Sequence, residues 1–118
     1  MGATQQVILT TSVTAFAALT QQRFVGADNA PCKAGAVALG VAEVDATAGD
    51  IVPVNVLGII VVEAGAAVTK GQNVQSDANA CAVPQVPAAG DTPAGMSAGI
   101  ALDEALAAGD AIRILRGV

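Results

Sequence analysis

Short runs of β-forming residues, each closed by a turn signal, recur along nearly the whole chain and leave little room for any other secondary structure. Val7–Val13 reads as a first strand and Arg23–Gly26 as a short second one, followed by a turn at Asp28-Asn29-Ala30-Pro31. Ala36–Glu43 comes next, then the turn Thr47-Ala48-Gly49-Asp50. Ile51–Val56 and Ile59–Glu63 read as two strands on either side of Gly58. Val68–Val74 contains a turn leading into a strand, and Asp77–Ala80 reads as a hairpin turn with Cys81–Val83 returning. Pro84–Gly95, rich in Pro and Gly, reads as a surface loop, and Gly99–Asp103 and Ala111–Leu115 close the chain. The Ala-rich pieces Ala15–Leu19, Ala64–Ala67 and Ala105–Ala108 favour helix by propensity, but each is too short to stand alone. They allow single helical turns at most. The pattern is all-β, a small barrel or sandwich.

One stretch echoes another. Gly40-Val41-Ala42, Asp45-Ala46 and Ala48-Gly49-Asp50-Ile51-Val52-Pro53-Val54 match Gly99-Ile100-Ala101, Glu104-Ala105 and Ala108-Gly109-Asp110-Ala111-Ile112-Arg113-Ile114. In both, a strand leads through an Ala-rich connection to an Ala-Gly-Asp turn and another strand. Gly supplies the positive φ of such a turn, and Asp bonds nearby backbone N–H groups. The echo reads either as two equivalent halves of one barrel or as coincidence in a chain rich in Ala and Gly. Pro53 cannot donate to a ladder, which predicts an edge or a bulge at that strand, and an edge can accept another chain.

Composition limits the core and the partners. The chain has 118 residues, 53% of them hydrophobic and 13% charged, so it forms one ordered domain rather than a disordered segment. Ala, Val and Gly dominate; Trp and Tyr are absent, and Phe16 and Phe24 are the only aromatics. A core of such small side chains is thin, and with so few surface charges part of the apolar surface is expected to lie against other chains. The net charge is -5, with Arg23, Lys33, Lys70, Arg113 and Arg116 as the only cations. That leaves no basic stripe for a phosphate backbone and no aromatic platform for bases, which argues against direct binding of nucleic acid. Val7–Leu19 is interrupted by Thr and Ser and has no basic residues before it, unlike a signal peptide. No segment approaches the ~18 continuous apolar residues of a membrane span. A soluble protein made in the cytoplasm, with no membrane partner, is expected. Cys32 and Cys81 are far apart in sequence and have no His to complete a zinc set, so reduced, buried thiols are expected.

The residues that usually carry catalysis are nearly missing. With no His, general acid-base work falls to carboxylates, and Asp103-Glu104, the adjacent pair, points to opposite faces if extended. Ser12, Ser76, Ser97, Cys32 and Cys81 have only Lys33 and Lys70 as conceivable bases. Neither a G-x-S-x-G elbow nor a phosphate-binding loop occurs. A chain without enzymatic activity and without a cofactor is the reading. Lys70 raises one alternative: Ala66–Val74 has the look of the hairpin in lipoyl and biotinyl carrier domains, or another small β binding module. It lacks the Met-Lys-Met or Asp-Lys-Ala context of such a carrier, so a plain turn with Lys70 in solvent fits better.

Taken in order, the strands and turns resemble the capsid cement, or head decoration, proteins of tailed phages, a family often mislabelled as recombinases. The resemblance rests on Arg23-Phe24-Val25-Gly26, Ala38-Leu39-Gly40-Val41-Ala42 and Ala48-Gly49-Asp50. It continues through Val54-Asn55-Val56-Leu57-Gly58, Val62-Glu63-Ala64-Gly65-Ala66-Ala67 and Ser76-Asp77-Ala78. Ala98-Gly99-Ile100-Ala101-Leu102 and Ala108–Leu115 complete it. Coverage runs from about Val7 to the C-terminus. Asn79-Ala80 departs from it where a Gly would complete the hairpin turn, and the Pro84–Gly95 loop looks long. The resemblance implies a small β-barrel or β-tulip-like domain, residues 7–118, preceded by an extended arm, residues 1–6. It implies a homotrimer on the outside of an icosahedral head, bound to the major capsid protein and clamping neighbouring capsomers, with no catalytic residues. The polar start, Gly2-Ala3-Thr4-Gln5-Gln6, is then the expected capsid contact, flexible when free and ordered by adding extended backbone to the shell. A frayed terminus is the plainer reading of the same residues.

Overall fold

Period-two alternation and β-branched residues make strands of this chain, and a computed structural model, which describes residues 4–117, places eight of them among those residues, with no helix. They are β1 (Gln6–Thr14), β2 (Phe24–Gly26), β3 (Ala38–Ala42), β4 (Ile51–Glu63), β5 (Asn73–Ser76), β6 (Ala82–Pro84), β7 (Gly99–Ala101) and β8 (Ala111–Arg116). All strand pairings are antiparallel, in the order β2-β3-β4-β8-β7-β5-β6, with β1 paired to β4 on the side away from β3 and β8. The two ends of this sheet approach each other. The Phe24 N–H donates to the Ala80 carbonyl at 2.8 Å, and the Gly65 N–H donates to Ala82 at 2.8 Å. The fold is thus all-β, a nearly closed barrel. The Ala-rich pieces form single bridges rather than helical turns, Leu19 with Ala46 and Val68 with Ala105, because paired backbone offers them more than an isolated turn.

β4 is the spine. The sequence reads two strands divided at Gly58, and the structure runs them together as one strand of 13 residues. Gly58 takes φ 112 where the β1 register slips between Val7 and Leu9, and a Cβ there would lie 2.5 Å from the Gln6 carbonyl oxygen. Pro53 corrects a second expectation. Its strand is neither an edge nor bulged there, since β1 flanks it through Ser12 and β3 ends beside it. Its carbonyl accepts the Glu43 N–H at 3.1 Å, and the N–H that proline lacks faces the end of β3, where only one ladder bond is forfeited.

The sequence echo proves to be a structural repeat. Ala15 N–H donates to Asp50 O, and Gly49 N–H to Ala15 O; Ala64 N–H donates to Asp110 O, and Gly109 N–H to Ala64 O. Leu19 and Ala46 exchange both backbone bonds, as do Val68 and Ala105. The Asp50 carboxylate accepts from the Thr47 N–H at 2.9 Å, and that of Asp110 from the Leu106 N–H at 2.8 Å. Even the hairpin turns agree. Asn29 and Ala80 adopt φ 64 and φ 63, and their N–H groups bond back to Gly26 and Asp77. The position expected to need Gly is therefore left-handed, with Ala80 in it. β1 to the first half of β4 forms one unit, and the second half of β4 to β8 forms the other. β4 is one strand because the end of the first unit runs straight into the start of the second.

Two clusters fill the interior. The larger gathers Phe24, Val41, Ile60, Val62, Val74, Ile112 and Ile114 with many alanines; the smaller holds Ala15, Leu19, Val25, Ala42, Val52 and Val54. Small side chains let backbones approach closely. A Cβ on Gly40 would collide with the Asn55 carbonyl oxygen across the β3–β4 pair. With each buried Val or Ile worth about 1.5–3 kcal/mol, this core relies on many modest contributions.

Candidate functional site

Reactive groups that the sequence left open are occupied with structural work. Asp103 accepts from Arg113 three times, from the backbone N–H at 3.0 Å, Nε at 2.9 Å and Nη2 at 2.9 Å. The Arg113 guanidinium holds the Asp103 carboxyl down at about 2, a structural carboxylate rather than a proton carrier. Arg23 pairs with Glu63 at 3.3 Å, and the hydrogen bond it donates to that carboxylate raises the guanidinium's pKa. Cys32 and Cys81 are buried free thiols, and desolvation pushes both upward, away from the reactive thiolate. Among the described residues no three His, Cys, Asp or Glu side chains come together as a metal site. Lys70 is exposed on a turn closed by Gln72, whose side-chain oxygen accepts the Thr69 N–H at 3.0 Å. That turn joins the Val68 bridge to β5, not two paired strands, unlike the hairpin of a carrier domain.

Arg116 is a residue that sequence reasoning missed. Leaving the end of β8, its guanidinium enters the gap between β3 and β8 on one side of β4. It donates to Val56 O at 2.8 Å, Ala98 O at 2.6 Å, Ala38 O at 2.9 Å and Leu39 O at 3.2 Å. Burial pulls its pKa down, and carbonyl dipoles take the place of a carboxylate. Nothing in the local sequence Ile114-Leu115-Arg116-Gly117 signals this, since the partners come from β3, β4 and the approach to β7.

A groove of about 220 Å³ lies between Leu19, Thr20, Arg23, Phe24, Pro31 and the Ala78–Ala80 turn. Its only charged group, Arg23, is already engaged by Glu63. The surface is more distinctive along β1 and β4. Residues 1–22 contain no charged side chain, nor does Ile51–Val62. On this ribbon and beside it, Ile8 is 83% exposed, Phe16 77% and Ile51 77%. Leu9 and Leu57 are exposed there as well. Among the described residues β1 pairs with β4 alone, and its outer edge is open.

Of the predicted contact residues, Gly2 and Ala3 lie outside the described residues. Thr4 is exposed, and the Gln5 side-chain oxygen accepts the Val61 N–H at 3.2 Å. Gln6 pairs with Ile59 and already belongs to β1, which therefore starts one residue before the Val7 read from sequence. Thr4, Gln5 and Gln6 thus continue the uncharged ribbon.

This chain is similar to the base of the head fibre gp8.5 of bacteriophage phi29. The crystal structure of that N-terminal base superposes with a TM-score of 0.68 at 20% identity, covering 92% of this chain and 93% of that one. The likeness is one of fold. No curated protein matches the sequence. The profile of the phage cement proteins matches residues 3–116, from the polar start through β8. With that profile spanning the whole barrel, the chain belongs to the phage cement protein family.

Proposed function

We propose that this protein is a capsid decoration protein that binds the outer surface of an icosahedral phage head as a trimer and strengthens contacts between major capsid proteins. The observation that carries the reading is the family match over residues 3–116, with the fold it shares with a phage head-fibre base as support. The physical character of the surface agrees with it. An uncharged ribbon with exposed Ile8, Phe16 and Ile51 suits contact with protein, and many weak copies on a lattice gain strength by avidity. Its usefulness comes from buried surface, without turnover: the carboxylate best placed for chemistry, Asp103, is bound up with Arg113.

The decisive experiment mixes purified protein with undecorated heads and images them. Ordered density on the outside, where capsid subunits meet in threes, is the expected result, together with heads that withstand more heat than bare ones. Heads that stay bare, or density on the inner face, would refute the proposal.

A further inference from the structure

The two units do not match everywhere, and two additions belong to the second alone. Phe24-Val25 and Asn73-Val74 hold the same places, since Val25 pairs with Gly40 and Val74 with Gly99. In the first unit the turn then begins at Gly26, whereas Gln75 and Ser76 come before the matching Asp77. Past the turns, residues 32–39 lead from Pro31 to Gly40, and residues 83–98 lead from Ala82 to Gly99. The second crossing is twice as long for the same connection, and its surplus stands out as a hairpin, residues 86–95.

The two additions meet. The Val86 N–H donates to the Gln75 side-chain oxygen at 2.8 Å, and that side chain fills the space a Cβ would need at Gly95. Gln85 Nε2 donates to the Gly95 carbonyl at 2.7 Å, and the Gly95 N–H to Val86 O at 3.0 Å. Ser76 ties this base to the first unit: its carbonyl accepts the Gly35 N–H, and the Gly35 carbonyl accepts that of Met96, both at 2.9 Å. Gln75 is only 6% exposed, and burying an amide is costly unless it is bonded. The first unit makes the same turn and crossing without either addition, so the buried Gln75 serves the hairpin rather than the barrel.

Beyond its base the hairpin stands in solvent. Residues 86–94 are exposed, Ala89 and Thr92 close the tip by exchanging backbone bonds, and a Cβ on Gly90 would meet nothing. A projecting element held in one pose loses less entropy on meeting a partner. Its chemistry narrows that partner. It has no cation and no aromatic ring for nucleic acid, and Pro87 and Pro93 take an N–H from each arm, which disfavours an added strand. Asp91, near the apex, is its one charge and has no ion-pair partner among the described residues. A protein surface offering Lys or Arg suits it better than another copy of a chain of net charge -5.

We propose, on the decoration reading, that the hairpin of residues 86–95 is the element with which this protein grips the head shell. It sets Asp91 against a basic group of the major capsid protein, and Gln75 is its positioning residue.

Variants are mixed with undecorated heads, and their binding is compared with wild type. Because Val86 and Gly95 face each other, an Asn-Gly turn can replace residues 87–94. The trimmed chain should keep its urea midpoint and its mass in solution, and bind at least about tenfold more weakly. Asp91→Lys, a change at an exposed side chain, should weaken binding as well, and it alone decides if the trimmed chain loses its fold. Gln75→Met should speed amide exchange at Val86 but not in β4, and binding should fall with it. Wild-type binding by the folded trimmed chain or by Asp91→Lys overturns the proposal and leaves the decoration reading standing. A changed mass for the trimmed chain puts the hairpin between copies and overturns it too. Fast exchange at Val86 with full binding overturns the role of Gln75. Heads left bare by wild type overturn both the proposal and the reading beneath it.

Discussion

Arg116 holds together strands that would otherwise part, since its guanidinium fills the fork where β3 and β8 leave the same side of β4. Replacing it removes the hydrogen bonds that four carbonyl groups, those of Val56, Ala98, Ala38 and Leu39, accept from it. Arg116→Met should lower stability by roughly 2–4 kcal/mol, the cost of unsatisfied buried acceptors, measured by urea denaturation. Arg116→Lys should recover little, because an ammonium lacks the planar fork that spans the four oxygens. Asp103 gives a pH signature. Its folded pKa is about 2 against an ordinary 3.8, so the ion pair contributes stability that is full above the ordinary value. That contribution disappears as pH falls through about 2. Asp103→Asn should therefore lower the urea midpoint at neutral pH, by the modest amount typical of a surface pair. The gap to wild type should close between about pH 3.8 and about 2. Residue chemistry of this kind was only partly legible. Asp103 stood out beside Glu104 in sequence, but its partner Arg113 comes from the next strand. The carbonyls around Arg116 belong to no side chain at all.

At the scale of the element, strand positions followed from alternation and turn chemistry, because both act between neighbours in sequence. Asp50 and Asp110 close equivalent turns, and the Ala-Gly-Asp signature marks both. Asp50→Ala and Asp110→Ala should each cost about 1 kcal/mol, and by similar amounts, since each removes the bonds that cap the same turn. A large disparity in their denaturation midpoints would argue that the two turns are not equivalent. Where elements meet, local signals fell short. Gly58 looks like a break between strands, yet it is where β4 stays continuous while β1 bulges over it. Gly58→Val puts a branched side chain at φ 112 against the β1 backbone and should destabilise by about 2–4 kcal/mol. Pro53 misled for a related reason, since whether a missing N–H costs anything depends on where the neighbouring strand stops.

For the whole molecule, the sequence by itself determined the class and the parts. Turns of Gly, Asp, Asn and Pro cut the chain into strands of fixed periodicity, and composition required a core of small residues and a surface low in charge. Even the duplication was legible, because both copies must satisfy the same turn geometry with the same few residue types. Only the tertiary structure decided which strand would be the spine, which edge stayed open, and that Arg116 would lie inside. Those outcomes depend on pairings between residues up to 78 positions apart, through backbone N–H and C=O groups that every residue carries alike. Side-chain identity sets what a segment prefers to be. The closure of the sheet sets what it finally touches.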